Sequence, residues 1–385
     1  MNGFAFKGWC PSALRPMPSG DGLVVRLRQR GGRLSSAQAA GIAELSARHG
    51  NGLIDLTGRA NLQIRGVSEQ SHGPLIEGLD RLGLVEAELS ESQRNILIAP
   101  FWTPGDDASS LAAELEQALA KRSLGLPEKF GFAIDCGSER VLAQTPADIR
   151  IERCIDGGLV VRADGASHGR KVAREEAIDA VHALVEWFVA SGGTRGRRGR
   201  MAAHVAVVGP PDNLAGDTQP APALAPPKPG FVVAGGLVGF AFGLLSGETL
   251  GYLAGLSPGL RLTPWRMVLV EGLREMPQHD DLVTDADDPL LRVTACTGAP
   301  SCPEAHAETR QLAAVLAPHI AADAHLHVSG CAKGCAHPTA AGLTLVGTSD
   351  GFDLVRHGTA RDVPAMRGLA RVKILADPGT WLGGR

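Results

Sequence analysis

Seven cysteines in 385 residues are too few for a disulfide scaffold, and an odd number cannot all pair. An excess of either charge is also missing: 38 Lys and Arg stand against 41 Asp and Glu. The formal charge of −3 gives no reason to expect nucleic acid as a partner. The opening residues, MNGFAFKGWCPS, hold no apolar run of signal-peptide length, which predicts a cytoplasmic protein. No G-x-G-x-x-G follows a predicted strand, so any electrons from a nicotinamide such as NADH would arrive through a separate reductase or a site without that fingerprint. Residues 229–247, PGFVVAGGLVGFAFGLLSG, lack charge and approach the length of a membrane span. Six glycines and a flanking proline suit a lipid helix poorly, so the stretch reads as one or two strands buried on both faces, with no membrane partner.

What is present is the composition of an ordinary globular protein, 44% hydrophobic and 21% charged, with length for several domains. Residues 209–230 carry seven prolines without helical or strand period and read as a semi-rigid linker. The two sides of that linker echo each other. GLIDLTGRANLQIRGV contains Thr57 with Gly66 nine residues later, and GLRLTPWRMVLVEGL contains Thr263 with Gly272 nine later. Each follows a predicted helix: SSAQAAGIAELSARHG, capped at Ser35/Ser36 and stopped at Gly50, and the shorter SGETLGYLAGL. Between echo and linker, EKFGFAIDCG reads as a buried strand. AREEAIDAVHALVEWFVASGG reads as a helix with Ile178, Val181, Leu184, Val185 and Phe188 on one face and Gly192 at its end. After the second echo, LLRVTAC, HLHVSGC and GLTLVG read as strands, with a helix from residue 303 to 318 between the first two.

Four of the cysteines fall at the C-terminal ends of two of these strands, where open α/β sheets bind ligands. Cys296 and Cys302 form C-x5-C; after 28 residues Cys331 and Cys335 form C-x3-C. Four thiolates can hold a tetrahedral zinc or a [4Fe–4S] cluster, and the five-residue gap exceeds the two to four usual for structural zinc. Lys333 would offset thiolate charge, and a helix starting directly after Cys302 would present its positive end there. Cys10, Cys136 and Cys154 are isolated and read as small buried residues.

A second group of residues suits an anion. TGRANLQIRG places Arg59, Gln63 and Arg65 at even spacing on a predicted strand, which puts them on one face. That face is either solvated or a platform for carboxylates, which arginine binds in a two-pronged manner. Arg94 and Lys129 each precede a buried strand, and TRGRRGR adds Arg195, Arg197, Arg198 and Arg200.

Taken together these residues resemble the sulfite and nitrite reductase family. Thr57, Arg59, Gln63 and Gly66 match its T-x-R-x-x-x-Q-x-x-G signature, Arg94-Asn95 resembles its next arginine, Leu126 to Phe130 its L-P-x-K-[FW] element, and the four cysteines its cluster motif. The resemblance implies an α+β fold: a linear duplication with two ferredoxin-like halves forming one pseudo-twofold core, flanked by two α/β domains. Mapped on this chain, 1–88 is the first half, 89–208 the first α/β domain, 209–230 the linker, 231–288 the second half and 289–385 the iron–sulfur domain. It implies a [4Fe–4S] cluster on Cys296, Cys302, Cys331 and Cys335, and a tetrapyrrole on Arg59, Gln63, Arg65, Arg94, Lys129, Arg197, Arg198 and Arg200. It names no catalytic residue.

Two departures steer the reading. Gly131 stands where the reductases carry a second basic or polar residue, and Lys333 stands where they usually have asparagine. CPSALRPMPSGDGLVVRLR and SGCAKGCAHP look instead like the monooxygenase branch of the family that serves aerobic cobalamin synthesis. There the tetrapyrrole would be substrate, with O2 as co-substrate. A cluster with four cysteine ligands has no open position, so a second, mononuclear non-haem iron is a candidate, with His325, His327 and His337 as its ligands. The competing readings are a sirohaem-dependent sulfite or nitrite reductase and a non-catalytic iron–sulfur electron carrier.

Overall fold

A computed structural model describes residues 11–85, 95–121, 124–194, 198–211 and 214–382. The architecture is α+β and duplicated. One five-stranded sheet runs in the order Met17–Ser19, Gly22–Leu27, Leu62–Val67, Leu53–Leu56, Leu244–Ser246. Another runs Gly230–Val232, Gly235–Phe240, Met267–Glu271, Gly259–Leu262, Arg33–Ser35, with Leu282–Val283 pairing Gly235–Phe240 off that path. The two orders correspond strand for strand. The last strand of each sheet comes from the other half, so the halves interlock through a reciprocal exchange.

The echo has a physical basis. Thr57 Oγ1 accepts from Asn61 N at 3.1 Å, and Thr263 Oγ1 donates to Met267 O at 2.7 Å; each threonine closes its hairpin. The residue three further on has positive φ in both halves, Ala60 at 53° and Arg266 at 61°, and so do Gly66 at 69° and Gly272 at 66°. Glycine adopts that region without steric cost, which is why it recurs at the ninth position. Both helices that follow the exchanged strands start at a serine cap, Ser35 accepting from Gln38 N and Ser246 from Thr249 N. The helices Ser36–His49 and Gly247–Gly255 pack together over one core that contains Ile54, Leu62 and Ile64 from the first half and Leu250, Leu260 and Val268 from the second. Each such fully buried aliphatic contributes about 1.5–3 kcal/mol.

Two α/β units flank the core. In one, Ile96–Ile98, Phe132–Asp135 and Ile149–Arg153 run parallel, continued by antiparallel Leu159–Ala163 and Arg170–Val172. Phe132–Asp135 is buried throughout, as its sequence predicts, and helix Ala177–Ala190 seats Val181, Leu184, Val185 and Phe188 against the sheet. In the other, Val293–Ala295, Leu326–Ser329 and Ala341–Thr348 are parallel and adjacent, followed by antiparallel Gly351–Gly358 and Met366–Leu369. The glycine-rich stretch 229–247 forms strands, with Gly235–Phe240 buried along its whole length. No helix among the described residues is long and apolar enough to cross a membrane.

Three local expectations change. The helix predicted to start after Cys302 starts at Arg310 and ends at Leu316, so no helix terminus stands at that cysteine. Backbone bonds from Ala299 N to Ala307 O and from His306 N to Gly330 O hold the intervening segment in turns instead. Arg59 lies in the hairpin turn before the strand Leu62–Val67, because the Thr57 turn begins two residues earlier. The proline-rich segment is bound rather than free: Ala221 N donates to Arg153 O, Leu224 N donates to Arg140 O, and Thr218 and Gly169 exchange backbone bonds.

Candidate functional site

The parallel pairing of Val293–Ala295 with Leu326–Ser329 sets the loops that follow them side by side. Cys296 leaves the first strand, and its sulfur accepts from Gly330 N at 3.2 Å, in the loop of the second. Burial pushes the Cys331 thiol up, and neighbouring Cys296 and Cys302 add to the shift. Burial likewise raises Cys335, which feels Cys331, Cys296 and Cys302. The four sequence-predicted thiols therefore share one site. Their mutual repulsion means that they can all be thiolates only around a cationic centre. Among the described residues no group of three or more His, Cys, Asp or Glu forms a site for a single metal ion. Four neighbouring thiols with a backbone N–H at one sulfur have the donor chemistry that an iron–sulfur cluster takes. Cys136 and Cys154 are buried in the other α/β unit, and Cys10 lies outside the described residues.

Beneath the Cys331–Cys335 loop the structure gathers three histidines. The ring centroids of His325 and His337 are 4.8 Å apart, and those of His327 and His337 5.6 Å. His325 Nε2 bonds Thr294 Oγ1 at 2.9 Å. His327 is fully buried and neither ring nitrogen has a hydrogen-bond partner. Burial, with His337 and Arg266 nearby, pushes His325 and His327 down to about 4, so both are neutral at pH 7.

The predicted cations divide. Arg59 lines an open, shallow cleft together with Arg28, Arg30, Asn61 and Asn95. Asn95 carries the neighbouring position of Arg94, which lies outside the described residues. Asn95 also ties this floor to the lysine element: its O accepts from Phe132 N at 2.9 Å and its Nδ2 donates to Phe130 O at 3.3 Å. Lys129 is exposed in the turn just before. Gln63, with its amide oxygen turned to Arg26, accepts from Arg26 Nη2 at 2.9 Å. Arg65 is buried and differs from the expectation of a ligand-facing cation: Asp21 and Asp55 hold its guanidinium at 2.8 and 2.9 Å. Arg195 and Arg197 lie outside the described residues, and Arg198 is exposed.

One residue that sequence reasoning missed organises this end of the cleft. Asp148, fully buried, accepts from Gly131 N at 2.9 Å, Met201 N at 2.8 Å and Arg200 Nε at 2.9 Å. It joins the Lys129–Gly131 turn to the arginine loop, and Arg200 is spent on that contact. The available signal was an acid directly ahead of the strand Ile149–Arg153, which is buried over its first four residues.

Comparison with known proteins agrees with this geometry. Residues 15–82 match the nitrite/sulfite reductase ferredoxin-like half domain. A precorrin-3B synthase from Sinorhizobium sp. is 29% identical over 395 aligned positions, covering 93% of this chain and 84% of that protein. A ferredoxin–nitrite reductase from Synechococcus elongatus is 32% identical over 160 positions, covering 36% of this chain and 31% of that protein. Among solved structures, the NirA protein of Mycobacterium tuberculosis superposes with a TM-score of 0.64 at 18% identity, over 92% of this chain and 79% of that one. Half domain, fold and near-full-length relative converge: residues 15–82 form a nitrite/sulfite reductase ferredoxin-like half domain, the fold is that of NirA, and the chain is similar along almost its whole length to a precorrin-3B synthase.

Proposed function

We propose that the chain carries out the precorrin-3B synthase reaction: O2-dependent hydroxylation of precorrin-3A at C20, with closure of the ring-A acetate onto C1 as a lactone. One oxygen atom enters the product and the other leaves as water, which consumes two electrons and two protons. The observation that carries this reading is the extent of the likeness, 93% of the chain for the synthase against 36% for the nitrite reductase. Gly131 points the same way. A Cβ there would stand 2.8 Å from Asn95 Nδ2, so the basic or polar residue of the reductases would have to displace that side chain.

The residues take the following parts. Cys296, Cys302, Cys331 and Cys335 would hold a [4Fe–4S] cluster, which supplies electrons singly when bound. Those electrons derive from NADH through a separate reductase. Arg59 in the cleft would meet the carboxylates of the macrocycle, with Gln63, Arg94, Lys129, Arg197 and Arg198 as the further candidates; charge-assisted bonds to a polycarboxylate orient it without chemistry of their own. His325, His327 and His337, all among the described residues, do not form a group that could hold an ion in this arrangement.

The test is anaerobic purification, a visible spectrum, then addition of precorrin-3A and oxygen with mass spectrometry of the product. A broad cluster absorption and a hydroxylated lactone support the reading. Sharp sirohaem bands with efficient sulfite or nitrite reduction would replace it with the reductase, and a cluster without turnover would leave an electron carrier.

A further inference from the structure

Ser301, the residue before Cys302, is held from outside its own domain. Its carbonyl accepts from Ser19 Oγ at 2.6 Å and Gly20 N at 2.9 Å, with Arg65 Nη2 at 3.5 Å. All three donors belong to the first half. Arg65 is itself immobilised: Nε and Nη2 donate to the two oxygens of Asp21 at 2.9 and 2.8 Å, Nη1 to Asp55 Oδ2 at 2.9 Å, and Nη2 also reaches Ser19 Oγ at 3.2 Å. The other oxygen of Asp55 takes Arg310 Nη2 at 2.6 Å, at the first residue of helix Arg310–Leu316 in the thiol-bearing unit. The approach is close enough that a Cβ on Gly20 would stand 2.1 Å from Pro300 O.

We infer that Arg65 is a positioning residue for the C-x5-C loop: with Asp21, Asp55 and Ser19 it clamps Ser301 and so fixes Cys302 against the other three thiols. The inference rests on the reading of those cysteines as cluster ligands. Within its own domain the loop is tied across the sheet at its Cys296 end, by Gly330 N to Cys296 Sγ at 3.2 Å and Cys296 N to Val328 O at 3.3 Å, while the Cys302 end has local bonds such as Cys302 N to Gly298 O at 2.8 Å and Ala299 N to Ala307 O at 2.9 Å. The clamp supplies the long-range reference for the Cys302 end. An ion-paired guanidinium with both faces of its fork occupied gives a defined position, which a flexible ammonium would not. The equivalent lock in the second half, Glu271 with Arg33 and Arg261, has no such contact with the cysteine loops and serves as an internal control.

The experiment compares wild type, Ser19→Ala, Arg65→Gln and Glu271→Gln, each purified anaerobically. It reads iron and acid-labile sulfide per chain, the rate at which a ferrous chelator strips the iron, and the electron paramagnetic resonance signal of the reduced protein. Ser19→Ala, which removes one hydroxyl, should speed iron loss roughly three- to tenfold, the effect of about one hydrogen bond. Arg65→Gln should speed it further and shift the resonance signal, while Glu271→Gln should release iron at the wild-type rate despite lower stability. Wild-type release from both Ser19→Ala and Arg65→Gln, in a protein whose wild type carries full iron, would overturn the clamp. A wild type without iron or sulfide would overturn the cluster reading itself, and the clamp with it.

Discussion

Arg65 and Glu271 occupy equivalent positions in the two halves and carry opposite charges. Each lies eight residues after the hairpin threonine, Thr57 or Thr263, and each pairs with the residue two before it, Asp55 at 2.9 Å and Arg261 at 2.6 Å. The duplication has kept the lock and inverted its polarity. On the Arg65 side the lock reaches the cysteine loop; on the Glu271 side it joins Arg33 and, through Arg261 Nη1 to Pro100 O at 2.8 Å, the segment after strand Ile96–Ile98.

Glu271→Gln should therefore cost about 3 kcal/mol in urea unfolding at neutral pH, the scale of breaking a buried pair. Burial acts to raise the Glu271 carboxyl, but hydrogen bonds from Arg33 and Arg261 outweigh it and hold the carboxyl below its usual range. A depressed carboxyl contributes stability above its ordinary range and loses it as pH falls through the folded value. Mutant and wild type should thus converge in acid.

Asp135 has the opposite sign. Burial pushes its carboxyl up to about 6, while Leu142 N donates to Oδ2 at 2.7 Å and Oδ1 has no partner. The folded state holds this proton more tightly than the unfolded chain does. The protein should lose about 3 kcal/mol between roughly pH 4 and pH 6 from this group alone. Asp135→Asn should flatten that slope, read as unfolding midpoints across the interval, and an unchanged slope would show that another group titrates there.

For the thiol site, Ser in place of Cys296, Cys302, Cys331 or Cys335 should lower iron and sulfide and destabilise the C-terminal unit. Cys136→Ser and Cys154→Ser should leave iron unchanged, since both lie in the other α/β unit. Full iron in Cys331→Ser would remove the four-ligand assignment.

Arg59→Gln should weaken precorrin-3A binding by about 10- to 100-fold, because a hydrogen bond to a charged group is worth roughly 1.5–3 kcal/mol. Arg59→Lys should recover part, since an ammonium cannot make the planar two-pronged contact. Iron content should not change. An unaltered dissociation constant in titration of the iron-replete protein would show that the cleft does not hold the macrocycle.

At Gly131, a lysine must first fit its Cβ, which meets Asn95 Nδ2 at 2.8 Å and Asn95 O at 3.2 Å. Gly131→Lys should displace Asn95, lower turnover of the tetrapyrrole and give no sulfite or nitrite reduction. Reductase activity gained by this variant would mean that the position is open after all.

Local features were legible because they follow from short-range chemistry. The Ser35/Ser36 cap, the buried run Phe132–Asp135 and the amphipathic face of Ala177–Ala190 all depend on residues within a few positions. The cysteine motif was legible too, since its spacing falls at the ends of predicted strands. Pairing partners far apart in the chain were not. Nothing near Arg65 in sequence announces that Asp21 and Asp55 will consume it, and nothing near Ser301 announces Ser19 and Gly20. The reciprocal exchange of Arg33–Ser35 and Leu244–Ser246 likewise needs both halves present before either strand has an edge to join. By itself the sequence placed four thiols at strand ends and arginines at strand entrances, and through its family resemblance pointed to a duplicated α+β chain. Tertiary structure alone decided which arginines face the cleft and which lock the frame, because a guanidinium takes its role from the carboxylate that burial brings to it.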